Sequence, residues 1–192
     1  MSQPPSDRRS QKQRMLAGDL YTADDPELAR ESELAKRAMV EFARHYEHDV
    51  NAAHAVLKGL FKRFGDTAHI RPPLYVDYGY HISFGEGSFA NFGLMALDVA
   101  PITVGRDVQI GPNVQLLTPT HPLDAEARRQ KLEAGAPIVI HDNVWLGGGV
   151  IVLAGVTIGE NSVIGAGAVV TRDIPANVVA VGNPARVIRR LP

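Results

Sequence analysis

The chain contains no cysteine. That absence removes disulfide frameworks, thiolate zinc sites and a cysteine nucleophile together. An excess of one charge is missing too: 20 Lys and Arg stand against 21 Asp and Glu, a formal net charge of −1. Nothing global draws such a protein to nucleic acid or to an anionic membrane surface, so any anion site must be built locally. No apolar run is long enough to span a bilayer, and residues 1–20, MSQPPSDRRSQKQRMLAGDL, are polar and charged where a secretory signal needs an apolar stretch. A cytoplasmic protein without a membrane or nucleic-acid partner is expected. The Gly-x-Ser-x-Gly elbow of serine hydrolases is also absent.

What is present is enough for one core: 192 residues, 45% hydrophobic. Residues 1–15 are polar and expected to be flexible. Residues 16–66 read as a helical region. In DDPELARESELAKRAMVEFARHY, Asp25 suits an N-cap and Pro26 the first helical position, and Leu28, Ala35, Met39, Phe42 and Tyr46 recur at helical spacing. A second run, DVNAAHAVLKGLFKRFG, puts Val50, Ala53, Leu57, Leu60, Phe61 and Phe64 on one face, with Gly65 placed to end the helix.

From residue 67 onward the composition shifts to β-branched residues, Gly and Asn, and a period of six takes over. Reading from Ile140 gives IHDNVW, LGGGVI, VLAGVT, IGENSV, IGAGAV, VTRDIP and ANVVAV; reading from Val104 gives VGRDVQ and IGPNVQ. An aliphatic residue leads most hexads, and a small or β-branched one holds the fifth place: Val108, Val114, Val144, Val150, Val156, Ser162, Ala168. Such a period predicts a coil with three short faces, aliphatics stacked inward, and Gly or Asn supplying positive φ at the corners. The fold class is therefore mainly β, a parallel β-helix. A glycine-rich β-sandwich would instead alternate at a period of two with hairpin turns. Phe84, Ala90 and Ala96 carry the pattern into the upstream segment.

The register breaks once, between Thr118 and Pro137. A coil tolerates an insertion at a corner, and long loops in compact domains usually serve function. Loop 118–137 holds His121 between Pro119 and Pro122, and histidine is the side chain best suited to remove a proton near neutral pH. The plainer use of His121 is as a solvated loop residue; its place at the one break in the repeat favours chemistry. His45, His48, His54, His69, His81 and His141 are expected to be structural or solvent-facing.

The interrupted hexads, the TPTHP loop, NVWLGGGVIVLAGVTIGENSVIGAGAVV and GNPARVIRRL together resemble the maltose, galactoside and nodulation-factor O-acetyltransferases. MLAGDLYTADDPEL is similar to the helical region of the maltose branch. The resemblance implies a left-handed β-helix assembled as a homotrimer, with acetyl-CoA as co-substrate, no metal, and transfer of acetyl to a hydroxyl of a maltose- or glucose-like sugar. His121 aligns with the family's catalytic histidine. Asn91, Asp77, Asp98 and Asp24 match or neighbour acceptor-binding positions, although each carboxylate could be a solvated turn residue. Trp145, Gly148, Ala166, Thr171, Arg172, Arg186 and Arg189 match cofactor-binding positions; the arginines could equally be a solvated tail. A chitooligosaccharide nodulation factor or another glycoside is the alternative acceptor. A non-catalytic β-helix module would leave these features without a joint purpose. A zinc enzyme of the γ-carbonic-anhydrase kind would need histidines closer together than His121 and His141.

Overall fold

The computed structural model describes residues 8–192. Three parallel ladders wrap into a left-handed β-helix of hexapeptide repeats. The first face stacks Phe64, Phe84, Val104, Ile140 and Ile158. The second stacks Ile70, Ala90, Ile110, Leu146, Ile164 and Ala180. The third stacks Val76, Ala96, Leu116, Val152 and Val170. All of these side chains are buried and form one continuous core, the main apolar driving force of the fold.

The fifth-position residues are buried as the hexads predict, and the polar one explains itself. The Ser162 hydroxyl donates to the Pro175 carbonyl at 2.7 Å and accepts from the Val178 N–H at 3.2 Å, bridging successive coils. Asn113, Asn143, Asn161 and Asn177 take positive φ at corners. At Gly85 the requirement is space: a Cβ there would lie 2.1 Å from the Gly105 carbonyl oxygen.

The corner that leads from the third face back to the first is enlarged in the early coils. Val76 to Phe84 spans eight residues where Val152 to Ile158 spans six. This is why the hexads of the upstream segment look irregular. The same corner carries the large insertion after Leu116, so one edge of the coil collects every departure from the repeat.

Among the described residues, four helices accompany the coil. Helix α1, Gln11–Ala17, begins inside the segment expected to be flexible. Ser10 and Gln13 form a reciprocal capping box and Gly18 closes the other end, so this part of the segment is helical rather than flexible. Residues 1–7 of that segment lie outside the described residues. Helix α2, Pro26–Tyr46, is capped by Asp25, whose carboxylate accepts from the Glu27 and Leu28 N–H groups. Helix α3, Val50–Leu60, stops earlier than its apolar spacing suggests. Phe61 and Phe64 are buried by the coil, Phe64 stacks on Phe84 with ring centroids 6.0 Å apart, and Arg63–Phe64 is already the first rung. Gly65 therefore turns a corner against Glu86 and does not cap a helix.

The inserted segment is ordered. It forms the strand Pro119–Thr120, the short helix α4, Ala125–Arg129, and the strand Leu132–Gly135, which folds back antiparallel on the first. The N-terminal strand Tyr21–Thr22 adds to its outer edge.

Candidate active site

The enlarged corner and the N-terminal helices enclose a cleft of about 480 Å³, lined among others by Ser32, Lys36, Asp77, Tyr78, His121 and Glu133. A second depression of about 570 Å³ shares His121 and Glu133 with it and adds Asp24, Arg128 and Lys131. His121 thus stands between two openings, its side chain 56% exposed. Its Nδ1 lies 3.3 Å from the Leu132 carbonyl oxygen and its Nε2 4.0 Å from Glu133 Oε2. With Nδ1–H directed at that carbonyl, Nε2 carries the lone pair that can take a proton.

Glu133 is not among the residues singled out by sequence. Its side chain is 15% exposed, and one carboxylate oxygen accepts from the phenol of the buried Tyr21. Nothing in KLEAGAP marks it, because only the return strand brings it opposite His121. Asp77 faces the same cleft. Burial, then the like charges of Asp98 and Glu133, push its carboxyl up to about 6.

Asp98, expected near the acceptor, is engaged inside the turn. It is fully buried. Its Oδ1 accepts from the Asp77 and Tyr78 N–H groups at 3.1 and 2.9 Å, and its Oδ2 from the His81 N–H at 3.2 Å. A buried carboxylate needs such donors, and here they fix the enlarged turn that presents Asp77. Asp24 is exposed and lies 3.9 Å from Lys131.

The remaining predicted residues fall into other groups. Asn91, Gly148 and Ala166 stand on the corner between the second and third faces, with Trp145 on the strand just before it, 56% exposed. The Cβ positions of Gly111 and Gly147 would lie 2.6 Å from the Gly148 and Ala166 nitrogens, so small residues keep this column closely stacked. Asn91 accepts from the Phe92 N–H through Oδ1, which keeps its amide N–H groups available as donors. Thr171 and Arg172 are exposed on the His121 corner, beyond the insertion. Arg186 and Arg189 lie on the exposed strand Arg186–Arg190, paired antiparallel with Val178–Val181. Within one chain, then, neither opening beside His121 is lined by Asn91, Trp145, Gly148 or Ala166.

Two family models match the chain: the bacterial transferase hexapeptide, six repeats, over residues 137–172, and the maltose acetyltransferase hexapeptide capping motif over residues 14–65. Nodulation protein L of Rhizobium meliloti is 43% identical over 93% of this chain and 98% of its own. The chain belongs to the hexapeptide-repeat acetyltransferases. Among solved structures, a maltose O-acetyltransferase from Clostridium difficile 630 superposes with a TM-score of 0.94 at 44% identity, covering 97% of this chain and all of that one. A galactoside acetyltransferase in complex with coenzyme A gives 0.90 at 40% identity, covering 96% and 92%. The capping motif corresponds to α2 and α3 together with the arm that runs from α1 to Tyr21–Thr22. In this acetyltransferase that arm reaches the inserted segment itself.

Proposed function

We propose that this acetyltransferase moves the acetyl group of acetyl-CoA to a hydroxyl of a neutral sugar of the maltose or glucose kind, with His121 as general base. The observation that carries the reading is the histidine's setting: Nδ1 held toward a main-chain carbonyl, Nε2 facing a polar cleft with the Glu133 carboxylate 4.0 Å away and Asp77 on the same wall. The carboxylates suit hydrogen bonding to sugar hydroxyls, and Tyr78 offers the apolar surface that a sugar ring packs against.

The reaction is a direct transfer. Nε2 takes the hydroxyl proton while the sugar oxygen attacks the thioester carbonyl carbon; the tetrahedral intermediate collapses, the carbon–sulfur bond breaks, and the imidazolium returns its proton to the CoA thiolate. A well-placed base contributes roughly 10²–10⁴ in rate. The Gly148 N–H suits the thioester oxygen. Trp145 and Ala166 would line the pantetheine arm, and Thr171, Arg172, Arg186 and Arg189 would supply donors and charge to the CoA phosphates.

Because those groups stand away from His121 in one chain, the reading requires copies side by side. A homotrimer sets the His121 corner of one copy against the Asn91 and Gly148 corner of the next. The identities to maltose, galactoside and nodulation relatives support the class of acceptor.

The test is CoA thiol release from acetyl-CoA with maltose, glucose, isopropyl-thiogalactoside, glucosamine, chitooligosaccharide and serine as acceptors. Sugar-dependent release is expected, reduced at least 10²-fold in His121→Asn. Release that survives the substitution contradicts the base assignment, and release with serine alone contradicts the acceptor class.

A further inference from the structure

The two ring nitrogens of His121 face two successive residues of one strand, the Leu132 carbonyl and the Glu133 carboxylate. Those two residues are the ones that pair with the N-terminal arm, Thr22 with Leu132 and Tyr21 with Glu133. The inserted hairpin alone has few anchors: its outer helix is exposed and Leu123 is 96% exposed. The arm is better held. Lys12 pairs with Glu31 of α2, Gln11 accepts the Thr22 N–H at 2.8 Å, and Met15, Tyr21, Leu28, Tyr78 and Val99 make a small core of their own.

From this arrangement we infer that Tyr21 is a positioning residue for His121, acting through Glu133. Its phenol takes one carboxylate oxygen and leaves the other directed at the imidazole, while its main chain registers the strand that supplies the carbonyl to Nδ1. Burial, and then the hydrogen bond to Glu133, push the Tyr21 phenol well above its ordinary value, so it remains a donor throughout the working pH range. The inference rests on His121 being the base, and gives the capping arm a part in the reaction: it sets the orientation of a side chain on a loop distant in sequence.

Tyr21→Phe keeps the ring and removes the hydroxyl. With acetyl-CoA and the best of maltose, glucose and isopropyl-thiogalactoside, kcat should fall about tenfold with the KM for acetyl-CoA unchanged. In a Glu133→Gln background the same substitution should have no further effect, since residues acting as one unit are not additive. Nitrogen NMR of the labelled histidines supplies a readout independent of turnover: the His121 resonances should move away from the Nδ1–H pattern in Tyr21→Phe. A full kcat in Tyr21→Phe, an equal loss in both backgrounds, or His121 resonances unmoved would each overturn the inference. Activity persisting in His121→Asn would instead remove the base assignment, whatever Tyr21 does.

Discussion

Asp77 illustrates what the cleft costs. Its folded carboxyl sits at about 6 against an ordinary 3.8, so the folded chain holds that proton more tightly than the unfolded one. The stability this contributes is complete below about 3.8 and is lost as pH rises through 6. Asp77→Asn should therefore raise the Tm at pH 8, by the equivalent of roughly 1–2 kcal/mol after allowing for partial exposure, with the gain gone at pH 4. The KM for the sugar should rise in the same variant. Calorimetry at the two pH values checks the first part; a lower Tm at pH 8 would contradict it. At this scale the sequence marked His121, because it interrupts a repeat, and Asp77, because of the resemblance. It could not mark Glu133 or Tyr21, whose roles come from a pairing across 112 residues of chain. It could not tell that Asp98 is buried, because a buried carboxylate and a solvent-facing one look alike until the donors around them are known.

Among the elements, the α2–α3 pair docks on the coil through a polar cluster. Tyr46 Oη lies 2.8 Å from His69 Nε2, the His54 and His69 rings stand edge to face at 4.7 Å, and His54 also contacts Phe64. Both histidines are held below their ordinary value, chiefly by burial, then for His54 by His69 and for His69 by Arg71. Neutral imidazoles favour this docking. Its contribution is complete above pH 6.5 and is lost as pH falls through the depressed folded values. His54→Phe should narrow the difference in Tm between pH 7.5 and pH 5; an unchanged difference would show that the cluster does not govern acid stability. Helix α2 was legible because its cap, proline and apolar spacing agree. Helix α3 was overrun because Phe61 and Phe64 fit the helical period and the first coil equally well, and the coil buries them. Helix α1 is short and was hidden by the polar composition around its capping box.

For the whole molecule, a period of six determines three faces and hence one core, which is why the coil could be read from Val104 onward and inferred upstream. The enlarged corner is harder to read, since two extra residues per coil shift the register without erasing it. Its consequence is spatial: His121, Asp77 and Glu133 stand on one edge, Asn91, Gly148 and Ala166 on another. The proposed site takes one edge from each of two neighbouring copies. Co-refolding equal amounts of two variants, His121→Asn and Asn91→Ala, each expected to be nearly inactive alone, tests this most directly. Random assembly leaves about one interface in four with both wild-type residues, so about a quarter of wild-type thiol release should return. Activity no greater than that of the two variants kept apart would mean that each chain builds its site by itself, and would contradict the account.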